Sequence, residues 1–220
     1  MALDFDAGDK VSIGSVNPLA GASAGSWVMW QYFDDVTDTE QYWFGRDFGT
    51  ADTLGIATRP FLRIDGTGGS FIRRTTIATS TLFTVGQWAH VAWTWDYNGG
   101  SPLFGYYVDG VSQPTVYFAL SDVVSAIGTG TGDYNFGDTN LGAANDWAGG
   151  MDHVQLFTRA LSEEEVAELR WKPGSIVDSC VGYWPFYSTN PPDLSGQGND
   201  GTGSGVALTD GPPVHFPTNF

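Results

Sequence analysis

The groups in this sequence that could do chemistry are of three kinds: imidazoles, carboxylates and large aromatic rings. His90, His153 and His215 are its only histidines, so a general base would come from these three or from a carboxylate. The carboxylates are 20 Asp and five Glu. Asp favours turns and binds hard cations through oxygen, which points to Asp-rich loops and to Ca²⁺ as a candidate ion. No G-x-S-x-G elbow, H-E-x-x-H, C-x-x-C or phosphate-binding glycine loop occurs, and the Gly-x-Gly patterns in 128–132 and 201–205 precede no helix. No nucleophile–base set is therefore available, and no catalysis is expected. The aromatic rings offer a different chemistry, because exposed ones stack against the C–H faces of sugars. Trp30, Tyr32, Trp43 and Trp147 are the glycan-stacking candidates.

These groups need a scaffold, and the composition favours a β one. Aromatics make up 15% of the chain, and 30 Gly and 11 Pro supply turns between short strands. Runs at 26–33 and 87–95 are aromatic or β-branched and are bounded by Gly, Asp and Asn, the pattern of strands. Asp109-Gly110 between 104–108 and 111–113 is a two-residue hairpin signal. Further strands are expected at 3–5, 42–44, 62–64, 71–75, 116–118, 152–157 and 181–186. One short helix is expected from Ser162, with Glu165 completing a capping box and Leu161 and Val166 a hydrophobic staple. It absorbs four of the five Glu. The fold class expected is all-β, a two-sheet antiparallel sandwich. A single large domain over 1–208 is expected, followed by an extended arm over 209–220.

The formal net charge of −16 repels a phosphate backbone, so nucleic acid is not an expected partner. The lone Cys180 can form no internal disulfide. The opening residues lack a basic and an apolar leader region, and no apolar run approaches the length of a membrane span. Neither export nor a membrane is expected from these features.

Three blocks in order resemble the laminin-G-like, or pentraxin-like, concanavalin A-like jelly rolls. They are Leu3-Asp4-Phe5-Asp6, then Trp88-Ala89-His90-Val91-Ala92 with Tyr107-Val108-Asp109-Gly110, then Gly150-Met151-Asp152-His153-Val154 running to Val166. The resemblance covers roughly residues 2–172 and implies a jelly roll in which His90 is structural. It also implies adjacent opening and closing strands, which would place Asp4 or Asp6 beside Asp152 as Ca²⁺ ligands. The glucanase relatives carry an E-x-D-x-x-E cluster that this sequence lacks. Residues 182–186 and 193–202 resemble a segment that the family carries before its opening block, so 181–205 reads either as a circularly permuted strand or as the start of a truncated repeat.

Two functions are expected. Domain organisation and the Pro-rich arm resemble laminin-G-like proteins of tailed bacteriophages. That resemblance implies a decoration protein on the capsid exterior, assembled in the host cytoplasm as a homo-oligomer on the major capsid protein or another virion subunit. Its docking arm would use Pro212, Pro213, His215, Phe216 and Phe220. The alternative is a glycan-binding, lectin-like module.

Overall fold

Alternating side chains leave opposite faces of an extended chain, so a period-two apolar pattern can bury one face of a strand and expose the other. The computed structural model describes residues 1–36, 41–46, 54–56, 60–66, 69–97, 103–120, 127, 132–138 and 146–214. In chain order it forms β1 (Ala2–Phe5), β2 (Lys10–Ser12), β3 (Ala24–Phe33), β4 (Gln41–Arg46), β5 (Leu54–Ile56), β6 (Phe61–Gly66) and β7 (Gly69–Thr75). After α1 (Thr79–Leu82) come β8 (Trp88–Asp96), β9 (Leu103–Val108), β10 (Val111–Gln113), β11 (Thr115–Leu120), β12 (Tyr134–Phe136) and β13 (Gly149–Phe157). Last are α2 (Glu163–Trp171), β14 (Cys180–Trp184), β15 (Thr202–Ser204) and β16 (Ala207–Thr209).

Among the described residues these strands make two eight-stranded antiparallel sheets. The first runs β10-β9-β8-β3-β13-β1-β16, and β14 continues along the edge of β13 where β1 leaves off. The second runs β11-β7-β6-β5-β4-β12-β2-β15. The all-β, two-sheet antiparallel sandwich is as the sequence implied. A second helix was not expected: α1 is four residues long and has no side-chain cap bond, so it left no capping signal to read.

The inner faces fill the space between the sheets. Trp27, Met29 and Phe33 of β3, Trp93 and Trp95 of β8, and Leu156 of β13 are buried in one cluster with Trp43, Phe44 and Phe136 from the other sheet. Trp27 meets Phe44 edge-on, with centroids 4.6 Å apart, a favoured geometry for aromatic quadrupoles. Each such side chain contributes roughly 1.5–3 kcal/mol by burial.

On the outer face of the first sheet, α2 packs Val166 and Leu169 against Val28, Ala92 and Phe157. Its capping box is formed: the Glu165 N–H donates to Ser162 Oγ at 3.3 Å, and the Ser162 N–H to Glu165 Oε2 at 2.9 Å. The Asp109-Gly110 hairpin is also present, with both residues at positive φ (53° and 80°). Segments after α2 complete both sheets: β14 and β16 join the first and β15 the second. Trp184 and Phe186 are fully buried while Tyr183 stays partly exposed, the expected alternation.

Candidate functional site

The register of the first sheet places one row of residues side by side. Trp88 of β8 lies opposite Tyr32 of β3, Tyr32 opposite Gly150 of β13, Gly150 opposite Asp4 of β1, and Asp4 opposite Ala207 of β16. Tyr32 and Trp88 are four residues from Val28 and Ala92, so the row shares the outer face with α2. The Tyr32 and Trp88 rings lean together with centroids 5.6 Å apart and planes at 58°.

Gly150 makes that arrangement possible. A Cβ there would stand 2.9 Å from Trp88 Cη2 and 3.0 Å from Tyr32 Cβ, so a larger residue would push the indole away.

Beside the two rings the chain encloses a hollow of about 280 Å³, lined by Asp4, Tyr32, Asp34, Trp88, Thr209 and Asp210. Burial raises the pKa of Asp4, and Asp34, Asp6 and Asp9 raise it further through repulsion. Asp34 is raised by burial and then by Asp6. No Lys, Arg or His lines the hollow. It therefore presents two half-buried aromatic faces and three carboxylates, which accept hydrogen bonds and repel anions.

A second hollow of about 390 Å³ opens on the same face of the sheet, over Asp152, His153 and Tyr183. Residues 209–214 pass between the two, with Thr209 and Asp210 facing one and Gly211, Pro212 and Val214 the other. Asp152 and His153 sit at a bulge of β13, where His153 takes a left-handed φ of 49°. Asp152 Oδ1 accepts from the N–H groups of His153 (2.7 Å) and Phe186 (2.9 Å). Burial still pushes its pKa up to about 6, since two dipoles do not replace the lost water. Burial lowers His153 to about 4, and its Nδ1 lies 3.0 Å from the Tyr183 hydroxyl.

Several expected site residues are placed elsewhere. Trp30, Trp43 and Trp147 are not stacking platforms, as they are 2%, 0% and 0% exposed. Trp43 and Trp147 meet edge-on inside the sandwich, centroids 5.8 Å apart, and Trp147 Nε1 donates to the Gly149 carbonyl. Trp30 is packed on His90, which is itself buried, its pKa lowered to about 3 chiefly by burial, as befits a structural histidine. Of the four, Tyr32 lines the first hollow.

The three carboxylates expected to share Ca²⁺ are not gathered. Asp4 belongs to the first hollow, Asp152 to the second, and Asp6 is exposed. Among the described residues no group of three or more His, Cys, Asp or Glu is placed to hold a metal ion. The docking arm is corrected at its start: Thr209 pairs with Ala2 in the sheet, and Pro212 is buried against its own chain while Pro213 is exposed. His215, Phe216 and Phe220 lie outside the described residues.

Asp34, Thr209, Asp210 and Trp88 also line the first hollow without being site candidates from the sequence, and of these Trp88 has a readable signal. Its signal is the alternation of 88–95, which puts Trp88, His90 and Ala92 on the face opposite Trp93 and Trp95.

Residues 5–167 match a laminin-G-type family model described as the concanavalin A-like lectin/glucanases superfamily. The chain belongs to that superfamily. No curated protein matches it. Among solved structures, a provisionally described carbohydrate binding protein from Bacteroides ovatus ATCC 8483 superposes with a TM-score of 0.68 at 18% identity, covering 94% of this chain. This chain spans 58% of that protein's length. A heptameric SAP-like pentraxin from Limulus polyphemus gives 0.53 at 14% identity, over 76% of this chain and 80% of its own. The CBM40 of the Ruminococcus gnavus IT-sialidase, bound to α2,3-sialyllactose, gives 0.52 at 12% identity, over 76% and 95%. At these identities the likeness is one of fold.

Proposed function

We propose that this concanavalin A-like domain is a non-catalytic glycan-binding module whose sugar lies on Trp88 and Tyr32. The observation that carries the reading is the first hollow: two partly exposed aromatic rings beside Asp4, Asp34 and Asp210, with no basic side chain. A pyranose has an apolar C–H face for a ring and hydroxyl donors for carboxylates, so neutral sugars fit both surfaces. Anionic sugars are disfavoured, since the carboxylates already repel one another. The carbohydrate-binding description of the Bacteroides ovatus protein supports the same reading. So does Pro212, which is buried on its own chain rather than reaching out as a strap for another subunit.

Binding of neutral and sialylated oligosaccharides, measured by calorimetry, tests this. Neutral glycans are expected to bind and sialylated ones to bind more weakly, most clearly at low salt. Trp88→Ala should weaken neutral binding about tenfold, equivalent to about 1.4 kcal/mol of ring stacking. Binding unchanged in Trp88→Ala, or no binding of any glycan, rejects the reading.

A further inference from the structure

The second hollow is separate from the Trp88–Tyr32 cleft and differs from it in chemistry. Its walls are largely apolar, made by Pro185, Tyr187, Leu194, Pro212 and Val214. Its floor is polar and deeply buried: Asp152 is 2% exposed and His153 4%. The walls belong to segments that come together only in the folded chain, the stretch after β14 and the stretch after β16. Leu194 is tied to the floor by its N–H, which donates to the Tyr183 carbonyl at 2.7 Å. At about 390 Å³ the space is of the size that small-molecule sites occupy.

The floor limits what can enter. Asp152 Oδ1 is occupied by two backbone N–H groups, and Oδ2 lies 3.8 Å from His153 Nε2, beyond a direct hydrogen bond. The carboxylate accepts, and because His153 Nδ1 and the Tyr183 hydroxyl are bonded to each other, the pair has one proton left to donate, from Nε2 or from the phenol. No Lys or Arg lines the hollow, and the Met1 α-ammonium on its wall already acts on Asp152, so an anionic ligand would compete with that carboxylate for it. An alkyl chain would satisfy the walls but remove water from the polar floor without replacing its hydrogen bonds. A bare polyol would satisfy the floor and leave the apolar walls unfilled. An acylamino group meets both demands, with an N–H for the carboxylate, a carbonyl for the imidazole or phenol, and a methyl group for Leu194, Pro212 and Val214.

We propose that this hollow is a second carbohydrate subsite, specific for the acylamino group of an N-acetylated hexosamine. The inference rests on the domain being a glycan binder, and it adds a sugar class and a place. On the outer face of β13 its floor residue Asp152 stands two positions from Gly150, one side-chain repeat along the strand. One oligosaccharide crossing the 209–214 strip could therefore engage both hollows.

The experiment titrates the full chain with N-acetylglucosamine, glucosamine and glucose, following amide shifts by NMR. N-acetylglucosamine should shift the amides of Tyr183, Leu194 and Val214, with glucose and glucosamine at least fivefold weaker there. Leu194→Asp, at a rim position 54% exposed where folding is spared, should weaken N-acetylglucosamine at least fivefold and leave Trp88-dependent binding of neutral glycans intact. Tyr183→Phe should weaken it while keeping the ring. Trp88→Ala should leave it unchanged. Equal binding of glucose and N-acetylglucosamine at these amides overturns the acylamino assignment. Binding of N-acetylglucosamine that is lost in Trp88→Ala and kept in Leu194→Asp overturns the second subsite and leaves the first reading standing. No glycan binding at either hollow overturns both.

Discussion

Asp152 shows how burial decides what one side chain does. Placed at the edge of an ion site it would be a ligand, yet here it is 2% exposed and fixes a strand bulge to the segment after β14 through two N–H groups. Its pKa is raised by desolvation to about 6, above the ordinary 3.8, so between these values the folded state holds a proton that the unfolded state has lost. This carboxyl therefore costs nothing below pH 4, and its destabilising effect grows as the pH rises through about 6. Asp152→Asn keeps an oxygen for both N–H groups and removes the ionisation. Urea unfolding at pH 4 and pH 7 should show the variant gaining about 2 kcal/mol on the wild type between those two points. A pH-independent difference would mean that the carboxyl titrates normally. His90 and His153, lowered chiefly by burial to about 3 and about 4, act in the opposite sense, losing stability as the pH falls below 6.5. They are common to both proteins and largely cancel. The importance of Asp152 was legible in the sequence through its motif, but its partners were not, because the Phe186 N–H is 34 residues away.

At the scale of elements, legibility tracks locality. The α2 cap could be read because Ser162 and Glu165 are three residues apart, and the Asp109-Gly110 hairpin because two adjacent residues set its turn. The Trp88–Tyr32–Gly150–Asp4 row could not, since four strands distant in sequence must find their register before it exists. The same holds for the attachment of α2 to the sheet. Ser26 of β3 is fully buried; its hydroxyl donates to the Arg159 carbonyl and accepts from the Leu161 N–H, both at 2.9 Å. Ser26→Ala would take this partner from the part-buried Arg159 carbonyl and the buried Leu161 N–H, at a cost of about 2 kcal/mol. Ser162→Ala removes a partly solvated cap and should cost only about 1 kcal/mol. Denaturant midpoints of the two variants test the order: if the helix were held mainly by its own cap, Ser162→Ala would be the more damaging change. Gly150→Leu tests the row itself. Displacing the Trp88 indole should lower affinity for neutral glycans about as much as Trp88→Ala, and should do so without reducing the N-acetylglucosamine shifts at Leu194.

The whole molecule is closed by residues that the family match does not reach. That match ends at residue 167, while β14, β15 and β16 lie beyond it and cover strands in both sheets. Without them β1 and β2 would each lose a neighbour and present open backbone donors and acceptors. The core would open as well. Phe186 is fully buried with its centroid 5.5 Å from Phe136 and 6.2 Å from Phe5, and Trp184 is fully buried 5.2 Å from Phe136. Removing an aromatic side chain of this kind costs roughly 3–5 kcal/mol, so the loss of two approaches the whole stability of an ordinary domain. A chain ending at Lys172 should therefore show no cooperative thermal transition and should bind a dye specific for exposed apolar surface. A chain ending at Val214 keeps every strand among the described residues and the residues that line both hollows, and should melt as the full chain does. The pair separates the contribution of the sheet-completing segment from that of residues 215–220. A cooperative transition in the shorter chain, at a temperature near that of the full one, would show that residues 1–172 form the sandwich alone and that the later strands are an addition to its edges.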